Sequence, residues 1–391
     1  MSQAGFWARP AVLARLRQAF GGDAAGRAWL LVGPEGSGKE GTALEAARLA
    51  NCPRPSACEG PPLCESCQKA VTFQHPDIRW FGPAPASLTE DEARAVLQAK
   101  RQDPFFQPPF AASAEITIGS PEDPGPFTVR ALLRFLRLQP FQGRFKLAIL
   151  AGAHRLTPEA ANALLKTLEE PPPAALIFLL TSNRAALLPT IVSRCQLVRF
   201  DPYAEEELVA LLIARGLDAE QAAALARTAD GSVRKALALC EPAAAAVLAW
   251  AGDLIERIHA GGGAAAQVAA EMLHKGTAPA AADGPEALPP ASDLAAKRER
   301  AMQLCEMLVL YYSELVSCRE RGELWRPRAG RARSLAALAK QRSSRGLLAD
   351  IQLIERAKRD IDRNLNIGLT MAVLLQGLID NAQLDGAGAG R

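Results

Sequence analysis

Gly33-Pro-Glu-Gly-Ser-Gly38-Lys39-Glu40 decides the fold class of this 391-residue chain. The stretch follows a short apolar run at 29–32 and precedes a helical pattern that carries Leu44 and Leu49 inward. Strand, glycine-rich turn and helix in that order form a P-loop. Glycines let successive backbone N–H groups curl around phosphate oxygens, and the helix N-terminus adds a positive field. Lys39 is placed to reach terminal phosphates. The candidate nucleotide-binding residues are therefore Gly33, Gly36, Gly38, Lys39 and Glu40.

The last of these departs from the pattern. A Ser or Thr after the lysine would hold Mg²⁺ through its hydroxyl, and here that position is Glu40. Thr42 lies two residues on, where a helix turns its side chain elsewhere. A carboxylate about 4 Å from phosphate costs on the order of 4 kcal/mol at an effective dielectric near 20. ATP or ADP is expected to bind weakly, if at all. A second departure lies downstream. Hydrolysing P-loop proteins carry an acid at the end of a second strand to hold Mg²⁺. The candidate strand, Lys146-Leu-Ala-Ile-Leu150, runs into Ala151-Gly152-Ala153-His154. Neither Ala151 nor Gly152 can bind metal or accept a proton, and a lone His154 at a strand end is more often structural than catalytic.

Working outward, residues 1–200 alternate short apolar runs with helical patterns, as in a parallel sheet covered by helices. Strands are expected at 29–32, 147–150, 176–180 and 197–200. A helix is expected at 158–170, with Thr157 as N-cap, Pro158 at its first position and Pro171 to Pro173 ending it. The proline-rich stretch 82–126 reads as a mobile insertion. Residues 201–241 read as three short helices, with Asp218 and Ser232 as caps. Residues 259–291, rich in Ala, Gly and Pro, read as a flexible connection. Beyond it, Leu304, Leu308, Tyr311, Tyr312 and Leu315, then Ile354, Ile361, Leu365, Leu369 and Val373, repeat at helical spacing and define an all-α domain.

Composition narrows the function. Hydrophobic residues make up 49% of the chain, as in a folded protein, and a formal charge of +3 gives no global attraction to nucleic acid. No signal peptide or spanning segment is apparent, so the expected location is cytoplasmic. Four of the eight cysteines fall between Cys52 and Cys67, and in a reducing compartment that clustering points to metal. Cys64-x-x-Cys67 has the spacing of half a tetrahedral zinc site, with Cys52 and Cys58 to complete it.

The segment Ala160-Ala-Asn162-Ala-Leu-Leu-Lys166-Thr-Leu-Glu169-Glu170-Pro-Pro, followed by Ser193-Arg194-Cys195, resembles the clamp-loader subunits of bacterial DNA polymerase III, which are AAA+ ATPases. His75-Pro76-Asp77 and Asn364-Leu-Asn366 extend the resemblance over nearly the whole chain. Motor subunits of that family keep an Asp-Glu pair and a Ser or Thr where this chain has Ala151, Gly152 and Glu40. The delta-prime kind loses them, and this chain resembles that kind. The resemblance implies an α/β P-loop (AAA+) domain with a parallel sheet over 1–200, carrying a zinc-binding insertion at 52–67 and the insertion at 82–126. It further implies a small helical lid over 201–245 and an all-α collar over 246–391. The implied partners are the motor ATPase subunits and delta in a pentameric ring, and indirectly the sliding clamp and primed DNA. It implies structural zinc on Cys52, Cys58, Cys64 and Cys67, although the family's usual cysteine gaps differ from the two five-residue gaps here. Arg194 would be an arginine finger offered in trans to a neighbour's ATP; the alternative is that it pairs only with a local acid. Thr181-Ser182-Asn183 and Gly231-Ser232-Val-Arg234 match the family's phosphate sensors.

Two other functions compete. A motor ATPase could recruit Glu169 or Glu170 in place of the missing acids. A zinc-containing DNA-binding module could carry a vestigial P-loop.

Overall fold

The computed structural model describes residues 8–20, 27–55, 58, 62–102, 106–112, 114–240, 242–259, 294–322, 332–362 and 365–388. Apart from His259, the expected connection at 259–291 lies outside the described residues, as does Asn364.

Five parallel strands form one sheet in the order β2-β3-β4-β1-β5, with β1 Arg27–Val32, β2 Ile78–Phe81, β3 Lys146–Leu150, β4 Ala175–Thr181 and β5 Gln196–Arg199. Every residue of β3 and β4 is buried, which explains their unbroken apolar sequences. Side chains alternate between two cores, one on each face of the sheet. Trp29, Leu31, Leu147, Ile149, Phe178 and Leu180 join one core, while Leu30, Ala148, Leu150, Ile177 and Leu179 join the other. The first core is covered by helices α1 (Pro10–Phe20) and α2 (Lys39–Ala50), which places Leu44 and Leu49 inward as expected. α3 (Glu65–Val71) follows the cysteine segment.

The 82–126 stretch is more ordered than its prolines suggest. It contains α4 (Glu90–Gln102), which turns Ala93, Val96 and Lys100 into the protein. Two small residues and a lysine leave little apolar periodicity to read. β2 was also not anticipated, because Arg79 interrupts a run of only four residues.

The second core is covered by α5 (Val129–Arg137) and α6 (Pro158–Glu169). Thr157 caps α6 by accepting from the Ala160 N–H at 3.3 Å, and Pro158 stands in its first turn. α7 (Pro189–Ser193) leads into β5. Three short helices then follow as expected: α8 (Glu205–Ala214), α9 (Ala219–Ala229) and α10 (Val233–Cys240). Asp218 caps α9 through the Gln221 N–H at 2.9 Å.

By compactness, Met1–Leu217 with Asp230–Arg234 form one unit, and Asp218–Ala229 with Lys235–Arg391 form another. The second unit is helical. Its core is built by α11 (Pro242–His259), α12 (Leu294–Arg321), α13 (Ala332–Gln341), α14 (Ser344–Asp362) and α15 (Ile367–Gly388). Leu304, Leu308, Tyr311, Tyr312, Leu315, Ile354 and Ile361 are buried there. Leu365, Leu369 and Val373 instead lie on an outer face, because α15 buries Met371, Leu374, Leu375, Leu378 and Ile379. By length and composition, Ile367–Asp385 alone among the described helices could cross a membrane, yet those five residues pack it into a helical core.

Candidate functional site

The P-loop leaves the carboxyl end of β1, where Gly33 N–H donates to the Thr181 carbonyl on β4. Gly36 and Gly38 adopt φ of +76° and +86°, a conformation that L side chains avoid. Gly33 and Gly36 are also required by close packing. A Cβ on Gly33 would lie 2.2 Å from the Phe200 carbonyl oxygen, and one on Gly36 would lie 2.1 Å from Ser232 Oγ. The loop shape is thus held by the protein's own neighbours.

Lys39 Nζ donates to the carbonyls of Gly33 and Pro34, both at 2.6 Å. Burial drives its pKa down to about 8 against the opposing field of Glu40. Thr42 does point away from the loop opening, donating to the Gly38 carbonyl at 2.7 Å and accepting from the Arg9 N–H at 2.9 Å. Arg9 donates from Nε to the Ser37 carbonyl and stacks 3.5 Å over the Tyr203 ring. Gly231 takes φ of +73° and leads to Ser232, which donates to the Glu35 carbonyl at 3.0 Å, while Arg234 pairs with the Glu35 carboxylate. The sensor-like Arg234 is therefore anchored to the loop itself.

From sequence, the Glu40 carboxylate is expected to repel phosphate. In the fold, Lys100 of α4 pairs with it at 2.8 Å. Sixty positions separate the two residues, so no local spacing pointed to the pair.

At the tip of β3, Ala151 N–H donates to the Phe81 carbonyl, and Gly152 turns the chain at φ of +67°. His154 follows in a short 3₁₀ turn, with Nδ1 3.2 Å from Thr181 Oγ1. Burial lowers its pKa, helped by the positive charges of Arg155 and Lys39. The imidazole is thus held against a buried threonine. Asn183 caps the following turn through the Ala185 N–H at 3.1 Å.

Arg194 lies at the end of α7, outside the P-loop cluster. Its Nε donates to Glu169 at 2.6 Å, Nη2 donates to the same carboxylate, and Nη1 donates to the Thr190 carbonyl at 2.9 Å. Glu169 thus faces Arg194 at the end of α6. The family resemblance singled out both residues, but not their pairing.

The four cysteines come together. The Sγ atoms of Cys52, Cys58, Cys64 and Cys67 all lie within 4.8 Å of one another, and those of Cys52 and Cys64 are 3.8 Å apart. Four thiolates at about 2.3 Å around a tetrahedral metal would be about 3.8 Å apart, so the group could hold a metal ion. The displaced position of Cys58 in the sequence does not prevent this. Arg48 of α2 donates to Cys67 Sγ at 3.1 Å and to the Cys58 carbonyl at 2.9 Å, and Glu45 fixes its guanidinium. The cysteine cluster is thereby tied to the helix that the P-loop begins.

The sequence model of one protein family, described as DNA polymerase III, delta subunit, matches residues 8–120 and 125–204. The DNA polymerase III subunit delta' of Pseudomonas aeruginosa is 31% identical over 168 residues, covering 43% of this chain and 41% of that protein. The subunit delta' of Bacillus subtilis is 28% identical over 220 residues, covering 56% of this chain and 55% of that protein. The chain thus spans between two fifths and just over half the length of these relatives. A gamma subunit-related protein of Thermotoga maritima overlays 95% of this chain and 99% of its own at 18% identity and a TM-score of 0.42, a likeness too loose to carry an argument.

Proposed function

Because the chain belongs to the DNA polymerase III delta-subunit family and matches its delta-prime relatives, we propose that it is a clamp-loader subunit that does not itself hydrolyse ATP. In this reading residues 1–200 are the AAA+ domain, 201–245 its lid and 246–391 the collar. The collar joins it to motor ATPase subunits and delta in a ring of five, which loads the sliding clamp onto primed DNA in the cytoplasm. Arg194 is lent to the ATP of a neighbouring subunit, and zinc is the structural metal of Cys52, Cys58, Cys64 and Cys67. With four thiolates the site is closed, so the zinc has no open position for chemistry.

One observation carries the reading: the strand tip where a hydrolysing relative holds its metal ends in Ala151 and Gly152. The pairing of Glu40 with Lys100 supports it, since a carboxylate engaged by an ammonium is a poor metal ligand. The motor alternative needs Glu169 or Glu170, which stand at the C-terminal end of α6 rather than at the tip of β3. A local acid partner does not remove Arg194 from a role in trans. The pair is partly exposed and so is held by about 1 kcal/mol at most.

Two measurements test this. The pure chain with ATP and Mg²⁺ should release no phosphate above its Lys39→Ala variant; Mg²⁺-dependent turnover that Lys39→Ala abolishes would restore the motor reading. In a loader reconstituted with its other subunits, Arg194→Ala should lower turnover at one ATP site by about 10³-fold or more while the complex still assembles. An unaltered rate would remove Arg194 from the mechanism.

A further inference from the structure

The magnesium ion that a P-loop implies does not fit here. The position that should offer a hydroxyl is Glu40, and the strand tip offers Ala151 and Gly152. An ammonium takes the cation's place. Lys100 is 2% exposed, with Nζ 2.8 Å from Glu40 Oε1 and 4.7 Å from the centroid of the Trp80 ring. It occupies the inner face of α4 beside Ala93 and Val96, where an aliphatic residue would pack at no electrostatic cost. Burying an ammonium costs several kcal/mol unless a partner compensates it. Glu40 supplies that compensation together with the face of Trp80.

The phosphate-cradling parts of the loop are intact. Gly36 and Gly38 keep their left-handed turns, Lys39 remains, and the N–H groups of the first turn of α2 point out of the helix start. Glu35 is neutralised by Arg234 and Glu40 by Lys100. One net positive charge, that of Lys39, is left over. We infer that this loop takes the polyphosphate of a nucleoside di- or triphosphate free of divalent metal. The Glu40–Lys100 pair stands where other P-loops place a metal and its hydroxyl ligand. Lys100 is a positioning residue: it cancels the charge on Glu40 rather than touching the phosphate. The inference is separate from the absence of hydrolysis, which stands whether or not nucleotide binds.

The test is calorimetric titration of the full chain with ATP and with ADP, once in Mg²⁺ and once in excess EDTA. Binding in EDTA should be at least as tight as in Mg²⁺, because the metal would cancel charge on the ligand that Lys39 attracts. Lys100→Met leaves Glu40 facing phosphate, and Coulomb's law at about 5 Å and an effective dielectric near 20 predicts weakening on the order of a hundredfold. The double variant E40Q/K100M should recover most of that loss, which a merely structural role for Lys100 would not produce. Should Lys100→Met fail to fold, Glu40→Gln alone decides, since it must bind no more weakly than the native chain. Absence of binding at millimolar nucleotide in EDTA, binding that requires Mg²⁺, or undiminished binding by a folded Lys100→Met would each overturn the inference.

Discussion

Replacing Asp77 by Ala should destabilise the sheet-containing unit more than any surface change. Asp77 is fully buried between β2 and the turn that enters β3. Its carboxylate accepts the backbone N–H groups of Phe141, Gln142 and Gly143, each at 2.7 Å, and the Lys146 ammonium at 2.9 Å. Burial alone would raise its pKa, but the three N–H donors and Lys146 hold it down to about 2 from 3.8. That difference corresponds to about 2.5 kcal/mol of preference for the ionised form in the folded state. Removal also leaves Lys146 in a buried position without its counter-ion, which brings the expected loss to about 3–5 kcal/mol. For a unit of this size that is a fall in apparent Tm of roughly 10 °C. The pH dependence has a definite sign. A depressed carboxylate pKa contributes stability that is fully present above about 4 and is lost as pH falls towards about 2. The gap between native and Asp77→Ala proteins should therefore be flat from pH 7 to 5 and narrow only below about 4. Circular dichroism melts give the Tm, and hydrogen exchange at Phe141, Gln142 and Gly143 reads the turn directly. A shift below about 2 °C with those three amides still protected would refute the reasoning.

Three further outcomes are expected. The chain purified without chelator should carry zinc in equimolar amount by elemental analysis, and Cys58→Ser should reduce it sharply; full occupancy in that variant would exclude Cys58 as a ligand. Metal-free nucleotide binding should decline as pH rises through about 8, because burial sets the Lys39 pKa there and the ammonium is lost above it; a titration series flat to pH 9.5 would contradict this. In the helical unit, Arg342 pairs with the fully buried Asp350 at 2.6 Å, so Arg342→Met should cost about 3–5 kcal/mol in urea melts, whereas R342M/D350L should recover much of it.

β1, β3 and β4 were legible because burial on both faces demands continuous apolar sequence, and 147–150 or 176–180 admit little else; β5, an edge strand that buries only Val198, showed only through the short apolar run at 197–200. β2 escaped because a four-residue strand at the sheet edge tolerates Arg79. α4 escaped because its inner face holds Ala93, Val96 and Lys100, and no hydrophobicity pattern counts a lysine as core. Site residues divide the same way. The P-loop and the cysteines are local in sequence, so their chemistry shows in spacing or in count. The cysteines show the limit of spacing: two five-residue gaps depart from the family's usual pattern, yet the chain brings all four sulfurs together, as their number and clustering implied. Partnerships across the fold carry no such mark. Lys100 with Glu40, Arg194 with Glu169, and Arg48 with Cys67 are each fixed by tertiary contact between residues that nothing local relates.

Tertiary contacts of this kind also hold the P-loop geometry without help from a ligand. In a working ATPase the loop is shaped for the ligand, and loss of chemistry would free its glycines to drift. Here other parts of the same unit depend on that shape. The Phe200 backbone packs against Gly33, Ser232 against Gly36, and Arg9 bonds the Ser37 carbonyl. Val233 N–H donates to the Gly36 carbonyl at 3.2 Å. A β-carbon at either glycine would enter a neighbour's van der Waals shell, and at Gly36 it would also meet left-handed backbone strain. From the loop, α2 runs to Arg48 and so to the cysteine cluster. The loop is therefore a joint between the sheet, the start of α10 and the cysteine module. This joint needs rigid geometry at Gly33 and Gly36 but makes no use of the side chains at positions 40 and 151.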